Sequence, residues 1–299
     1  MSAAALSGSR KLAILSIQSW VSYGHVGNAS AMFPLQRLGM EVWAVNTVQF
    51  SNHLGYDSWK GQTFTGQAMR DLVDGIAARG VFGQCEAVLS GYLGDVGIGE
   101  AVLHAVATAR AANPAALYCC DPVIGDAAPG QAPGIYVRAG IPEFLRTHCL
   151  PQADILTPNQ FELEHLTGVT VTTLADAKRA VGILRDVMRP GSTVLVTSLR
   201  TAETPADAMD LLAADAAGCQ RLRTPLLPIS VNGAGDAIAG LFLLHTLRSR
   251  SAPAALAAAG SAIFGLLRRT AEAGSRELLT VAAQDEFVTP SRMFTSEPC

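Results

Sequence analysis

The sequence predicts an α/β fold, with a mostly parallel central sheet, helices on both faces and a small antiparallel hairpin at one edge. Three observations predict it. Short β-like runs alternate with amphipathic stretches of helical period over most of the length. The alternation breaks once, late in the chain, where two apolar runs flank Asp215-Ala216-Ala217-Gly218. A chain of 299 residues, 49% of them hydrophobic, also supplies enough core for one domain of this kind, here residues 1–299.

Taken in order, residues 12–18, 41–47, 87–90, 116–121, 154–157 and 193–197 read as buried strands. Between them, 28–38, 65–79, 97–111, 161–167 and 174–188 read as helices. Each crossover lays a helix on the sheet, so such alternation gives parallel strands covered on both sides. Segments 209–213 and 219–222 read as the edge hairpin. Helices over 233–247 and 253–268 close the fold, their alanine-rich faces permitting close packing. Residues 1–10 and 286–299 read as flexible or peripheral tails. The stretch 125–134, rich in Gly, Pro and Ala, has little apolar surface with which to pack. It reads as a mobile lid, the alternative being a passive surface loop.

Composition excludes several classes. A net charge of −3 and the lack of a basic run interleaved with aromatics give no support for nucleic-acid binding. The six cysteines form no C-x-x-C pair and read as reduced thiols rather than as metal ligands or disulfides. The start has no apolar segment of a secretory signal, and no run reaches the roughly 18 apolar residues of a membrane span. The expectation is a cytoplasmic protein without a membrane partner.

The stretch most charged with chemistry is Ser230-Val231-Asn232-Gly233-Ala234-Gly235-Asp236-Ala237, which opens into the apolar run 238–247. Glycines permit positive φ and close backbone approach, so Gly233, Ala234 and Gly235 can aim successive N–H groups at one anion. The following helix adds the positive end of its dipole, and Asp236 in the first turn is placed to accept a proton. An anion hole beside a base suits transfer of a phosphoryl group to an alcohol. The same pattern also describes an ordinary turn with an Asp helix cap. No Gly-Lys-Ser/Thr follows, so this is not a Walker loop, and the dinucleotide fingerprint is missing. Ligands of open sheets lie beyond the carboxyl ends of the strands, where Ser19, Thr47, Gly91, Asp121 and Thr157 fall.

Further blocks join that turn: Ser16-Ile17-Gln18-Ser19-Trp20-Val21-Ser22-Tyr23-Gly24-His25-Val26-Gly27-Asn28, Asn46-Thr47-Val48-Gln49-Phe50-Ser51-Asn52-His53, Leu89-Ser90-Gly91-Tyr92-Leu93-Gly94, Cys120-Asp121-Pro122-Val123-Ile124-Gly125-Asp126 and Thr157-Pro158-Asn159-Gln160-Phe161-Glu162. In these blocks, from about residue 12 to 250, the chain resembles the bacterial pyridoxal kinases of the ribokinase-like superfamily. The resemblance implies a ribokinase-like fold and ATP-dependent phosphorylation of the 5′-hydroxymethyl group of pyridoxal, and of pyridoxine and pyridoxamine. It implies Asp236 as base, with Gly233, Ala234 and Gly235 as the anion hole. It implies a vitamer pocket of Ser19, Thr47, His53, Leu54, Gly55, Tyr92 and Asp236. On the nucleotide side it implies Asp121, Thr157, Asn159, Glu162, Thr197, Ser198, Arg223, Thr224, Pro225 and Leu226. Mg²⁺ would be held through water by Asp121 and Glu162, with K⁺ a further family cation and a homodimer the family's usual state.

Local alternatives stand beside these roles. Ser19 also suits a helix-capping hydroxyl, Tyr92 an edge aromatic and His53 a structural histidine, while Asn159-x-x-Glu162 has the spacing of a capping box. The chain departs from the family at Thr197, where some bacterial relatives carry lysine, which leaves Arg200 or Arg223 to compensate or ATP to bind more weakly. A hydroxymethylpyrimidine or sugar kinase would share the Gly-rich turn but not the Ser19 and Asn46 to His53 blocks. A vitamer-binding protein without turnover would lack the base, which is intact here.

Overall fold

The computed structural model describes residues 12–127 and 134–299. The first half builds β1 (Ala13–Val21), α1 (Asn28–Arg37), β2 (Glu41–Phe50), β3 (Gly61–Thr63), α2 (Gly66–Ala77), β4 (Cys85–Ser90), α3 (Val96–Ala112) and β5 (Leu117–Cys120). A short ribbon of β6 (Gly125–Asp126) and β7 (Gly134–Ile135) leads to α4 (Ile141–Phe144), which continues through π and 3-10 turns to Gln152. Then come β8 (Ile155–Leu156), α5 (Gln160–Thr167), α6 (Leu174–Val187), β9 (Thr193–Leu199), β10 (Ala208–Asp215) and β11 (Gly218–Pro225). The chain closes with α7 (Ala234–Ser249), α8 (Ala252–Glu272), α9 (Asp285–Val288) and β12 (Glu297–Pro298).

Ten strands form one sheet in the order β12-β11-β10-β9-β8-β5-β4-β1-β2-β3, and its centre, from β9 to β2, is parallel. Strand alternation divides the core. Ile14 of β1 joins α1, α7 and α8 on one face, while Leu15 and Ile17 join α2, α3 and α6 on the other. The expected hairpin is present as β10 and β11, antiparallel to β9 and to each other. Two reversals restore the original direction, so β11 ends on the same edge as the parallel strands and delivers the chain to the Gly-rich turn there.

The sequence offers a flexible or a peripheral tail for 286–299. The segment is peripheral but packed: Phe287 is buried, Phe294 meets Phe264 edge-on at 4.9 Å between centroids, and β12 pairs with β11. Two phenylalanines separated by a polar stretch show no period, yet each finds a slot on α8. Residues 1–10 and the middle of the proposed lid, 128–133, lie outside the described residues. The lid's two ends pair as β6 and β7.

Candidate active site

Ser19 and Thr47 come together through a fault in the sheet. Between Gln18↔Asn46 and Trp20↔Gln49 the register of β1 on β2 slips, so Ser19 faces a bulge at Thr47-Val48. Both side chains are buried at the strand ends, and Thr47 Oγ1 donates to the Tyr92 carbonyl at 2.9 Å, which draws in the next block. Beneath them runs a buried polar strip: Ser16 Oγ donates to Asn28 Oδ1, and Asn28 Nδ2 donates to Asn46 Oδ1 and the Val45 carbonyl. The strip ties the start of α1 to β1 and β2, and explains why these central blocks are rich in Ser and Asn.

The Gly-rich turn closes over that helix start. Gly233 caps α7 at φ 89°, and a Cβ there would lie 1.8 Å from the His25 carbonyl oxygen. Only glycine fits. Ser30 Oγ donates to the Gly233 carbonyl at 2.8 Å, and Gly27, at φ 55°, passes so near Ser19 that a Cβ would strike its carbonyl oxygen. Two helix N-termini therefore converge beside Ser19. As the first residues of α7, Ala234 and Gly235 have no intrahelical acceptor for their N–H groups. Asp236 keeps some solvent access at the cleft, yet protein atoms surround it closely enough to push its carboxyl up to about 6. The N–H groups of Gly27 and of Asp236 itself oppose that rise.

Asp121 directly follows β5 and accepts from Thr157 Oγ1 at 2.9 Å. Its carboxyl is held well above the ordinary range by burial and by the negative field of Glu162 and Asp236. Glu162 closes a full capping box with Asn159 at the start of α5, and its other oxygen accepts from the Ile124 N–H at 2.9 Å. Burial outweighs these donors and pushes it up to about 8. Asn159 Nδ2 donates to the Gly125 carbonyl, which roots the β6–β7 ribbon on the same corner. The structural and ligand readings of Glu162 are thus compatible: one oxygen serves each backbone partner, while the charge faces Asp121.

Thr197 and Ser198 arrive beside Asn159 through an isolated parallel bridge from Asn159 to Thr197, and Ser198 adopts φ 52°, rare for a residue with a Cβ. Thr224 and Pro225 end β11 on this edge, and Leu226 follows them. Arg223 is engaged elsewhere. Its guanidinium makes a two-pronged ion pair with the buried Asp210, both contacts at 2.7 Å.

At the other end of the cleft, His53, Leu54 and Gly55 form part of a loop whose histidine is spent inside the protein: Gly55 N–H donates to Nδ1 at 3.1 Å and Nε2 meets Glu277 Oε1 at 2.9 Å. Sequence reasoning missed Glu277, a lone carboxylate beyond the last recognised block. It also missed Tyr136, just past the ribbon. Its ring is half exposed, but desolvation of the hydroxyl, and after it the field of Glu162, Asp121 and Asp236, raises it well above the ordinary tyrosine value. Half-buried His25 has a ring Nδ1 with no hydrogen-bond partner, and burial lowers its pKa. Among the described residues no three His, Cys, Asp or Glu side chains converge closely enough to hold a metal directly, and no helix is long and apolar enough to cross a membrane.

A parallel sheet whose central strand ends face a Gly-x-Gly-Asp helix start is the architecture of the ribokinase-like phosphotransferases. The family model described as phosphomethylpyrimidine kinase matches residues 71–280, and the pyridoxal kinase PdxY of Granulibacter bethesdensis is 61% identical over 288 residues, 96% of this chain and 99% of that one. The chain belongs to the pyridoxal kinase family. PdxY of Rubrobacter xylanophilus is 51% identical, covering 95% of this chain and 96% of its own. Pyridoxal kinase from Leishmania donovani, solved in complex with ADP and pyridoxamine, superposes with a TM-score of 0.86 at 31% identity, over 96% of this chain and 99% of that one.

Proposed function

We propose that the chain moves the γ-phosphoryl group of ATP onto the 5′-hydroxymethyl oxygen of pyridoxal, and also of pyridoxine and pyridoxamine, as a single kinase domain built on one sheet. The observation that carries this reading is the convergence of the Gly233 to Asp236 turn with Ser19 and the β1–β2 bulge. Pyridoxal kinases with ADP and with pyridoxamine or pyridoxine bound, similar over nearly the whole chain, support it. Ser19 and Thr47 would orient the vitamer ring. Asp236 would take the hydroxymethyl proton as that oxygen attacks phosphorus, and the N–H groups of Gly233 to Gly235 would face the charge gathered on the transferring group.

Asp121, whose proton affinity is raised first by burial and then by the negative field of Glu162 and Asp236, and the lack of a metal-binding cluster among the described residues fit Mg²⁺ held through its waters rather than directly. Asp121 and Glu162 would hold it, and when bound it supplies positive charge to the nucleotide phosphates. The homodimer expected from the resemblance belongs to the same reading, and sedimentation of the purified chain decides it.

The family model's name keeps a pyrimidine kinase in view. The test is kcat/KM for pyridoxal, pyridoxine, pyridoxamine, hydroxymethylpyrimidine and ribose with ATP. The B6 vitamers are expected to exceed the others by a wide margin, and a higher value for the pyrimidine or the sugar overturns the reading.

A further inference from the structure

We infer that Glu277 is a positioning residue for the acceptor side of the cleft, clamping the 53–56 loop and the 23–27 loop against the Gly-rich turn. The inference rests on the kinase reading above. Glu277 is 9% exposed, and among the described residues no lysine or arginine lies within ion-pair distance of it. Instead it gathers donors from two loops distant in sequence. Oε1 accepts from Tyr56 Oη–H at 2.7 Å and meets His53 Nε2 at 2.9 Å, while Oε2 accepts from the His25 N–H at 3.3 Å.

Because Gly55 N–H donates to Nδ1 of His53, the ring proton sits on Nε2, facing the carboxylate. Both ring nitrogens are thereby used, so His53 acts as a strut for the loop that carries Leu54 and Gly55. Arg276 lies over the Tyr56 ring at 5.0 Å and braces the same loop from outside. Two glycines mark how closely the parts fit. A Cβ at Gly24 would lie 2.3 Å from Glu277 Oε2, and one at Gly55 would lie 2.6 Å from Asn232 Nδ2, the residue that opens the Gly-rich turn. Leu278, fully buried, packs beside Gly233. Two consecutive residues thus touch the acceptor loop and the anion-hole turn.

The experiment compares wild type with Glu277→Ala, Glu277→Gln and the control Glu286→Gln, a buried carboxylate of the same C-terminal segment that bonds Ser291 away from the cleft. Glu277→Ala is expected to raise KM for pyridoxal roughly 10- to 100-fold, the scale of lost hydrogen bonds to a charged group, with KM for ATP within about 3-fold. Glu277→Gln keeps one acceptor and recovers part of the loss. His53→Ala adds little in the Glu277→Ala background, since both act through one contact. Trypsin cuts faster after Lys60, which follows the clamped loop, in Glu277→Ala, and Glu286→Gln changes neither KM. Equal rises in both KM values, or a lower Tm with both KM values and the cleavage rate unchanged, overturn the inference. A wild type that phosphorylates no vitamer strikes the kinase reading instead, and the cleavage rates still decide the clamp.

Discussion

Arg223 shows how a residue's partners decide its role. Its position near the nucleotide side and its charge made it a candidate to replace the lysine absent at Thr197, but the buried Asp210 holds both prongs of its guanidinium. Arg223→Ala is therefore expected to destabilise the fold by about 3 kcal/mol, the lower end for orphaning a buried charge because Arg223 is itself partly exposed. KM for ATP should change little. A large rise in KM for ATP with an unchanged denaturation midpoint would restore Arg223 to the nucleotide. Ser19→Ala, in contrast, removes a hydroxyl facing the bulge and should weaken vitamer binding by about 0.5–1.5 kcal/mol, leaving ATP binding unaltered. Calorimetric titration with pyridoxal measures it, and unchanged affinity would place Ser19 outside the pocket. The candidate residues that the structure brings together stand in dense motif blocks. Glu277 was not legible in the sequence, because a single acid before two leucines has no spacing to set it apart, and its donors lie more than 200 positions away.

At the scale of elements, helix starts organise the site, and two of them give tests. The capping box of α5 buries Glu162 with its carboxyl raised to about 8 from an ordinary 4.5. The native state then binds that proton more tightly than the unfolded chain does. Its contribution to stability is complete below about pH 4.5 and is lost as the pH rises through 8. Thermal melts of the nucleotide-free protein should show Glu162→Gln removing part of the decline in Tm between pH 5 and 8, while lowering Tm overall, because an amide nitrogen would face a backbone N–H. An identical pH slope in the variant would contradict the assignment. At α7, Gly233→Ala forces a left-handed Cβ into the His25 carbonyl and should cost about 1–3 kcal/mol or more, whereas Gly39→Ala, at a similar φ with open space around it, should lose less. Equal losses in urea melts would contradict the clash. The short elements escaped the sequence: β3, β6, β7 and β12 have two or three residues each, too few for a period of two to register. The bulge opposite Ser19 escaped for a related reason, since it is a relation between two strands and neither strand carries it alone.

Across the whole molecule, the parallel sheet and its two helical layers were legible because burial on both faces demands continuous apolar strands, and crossover helices carry one apolar stripe each. The common edge of the site followed from that topology, since parallel strands all end on one side. What the sequence left open was how the last third returns to the first. Ser30 bonds Gly233, Leu278 packs at the same glycine, and Glu277 bonds loops near residues 25 and 55. These contacts join positions far apart in the chain, so no local pattern encodes them, yet they bring the proposed base to the proposed acceptor. The central claim is that Asp236, an acid in the first turn of α7 behind the Gly233 cap, acts as a base and not only as a partner of the helix dipole, and the direct test is kcat for pyridoxal phosphorylation in Asp236→Asn, which preserves size. The account predicts a fall of roughly 10²- to 10⁴-fold, with pyridoxal and ATP still bound and Tm close to wild type. Near-normal kcat in that variant would contradict it.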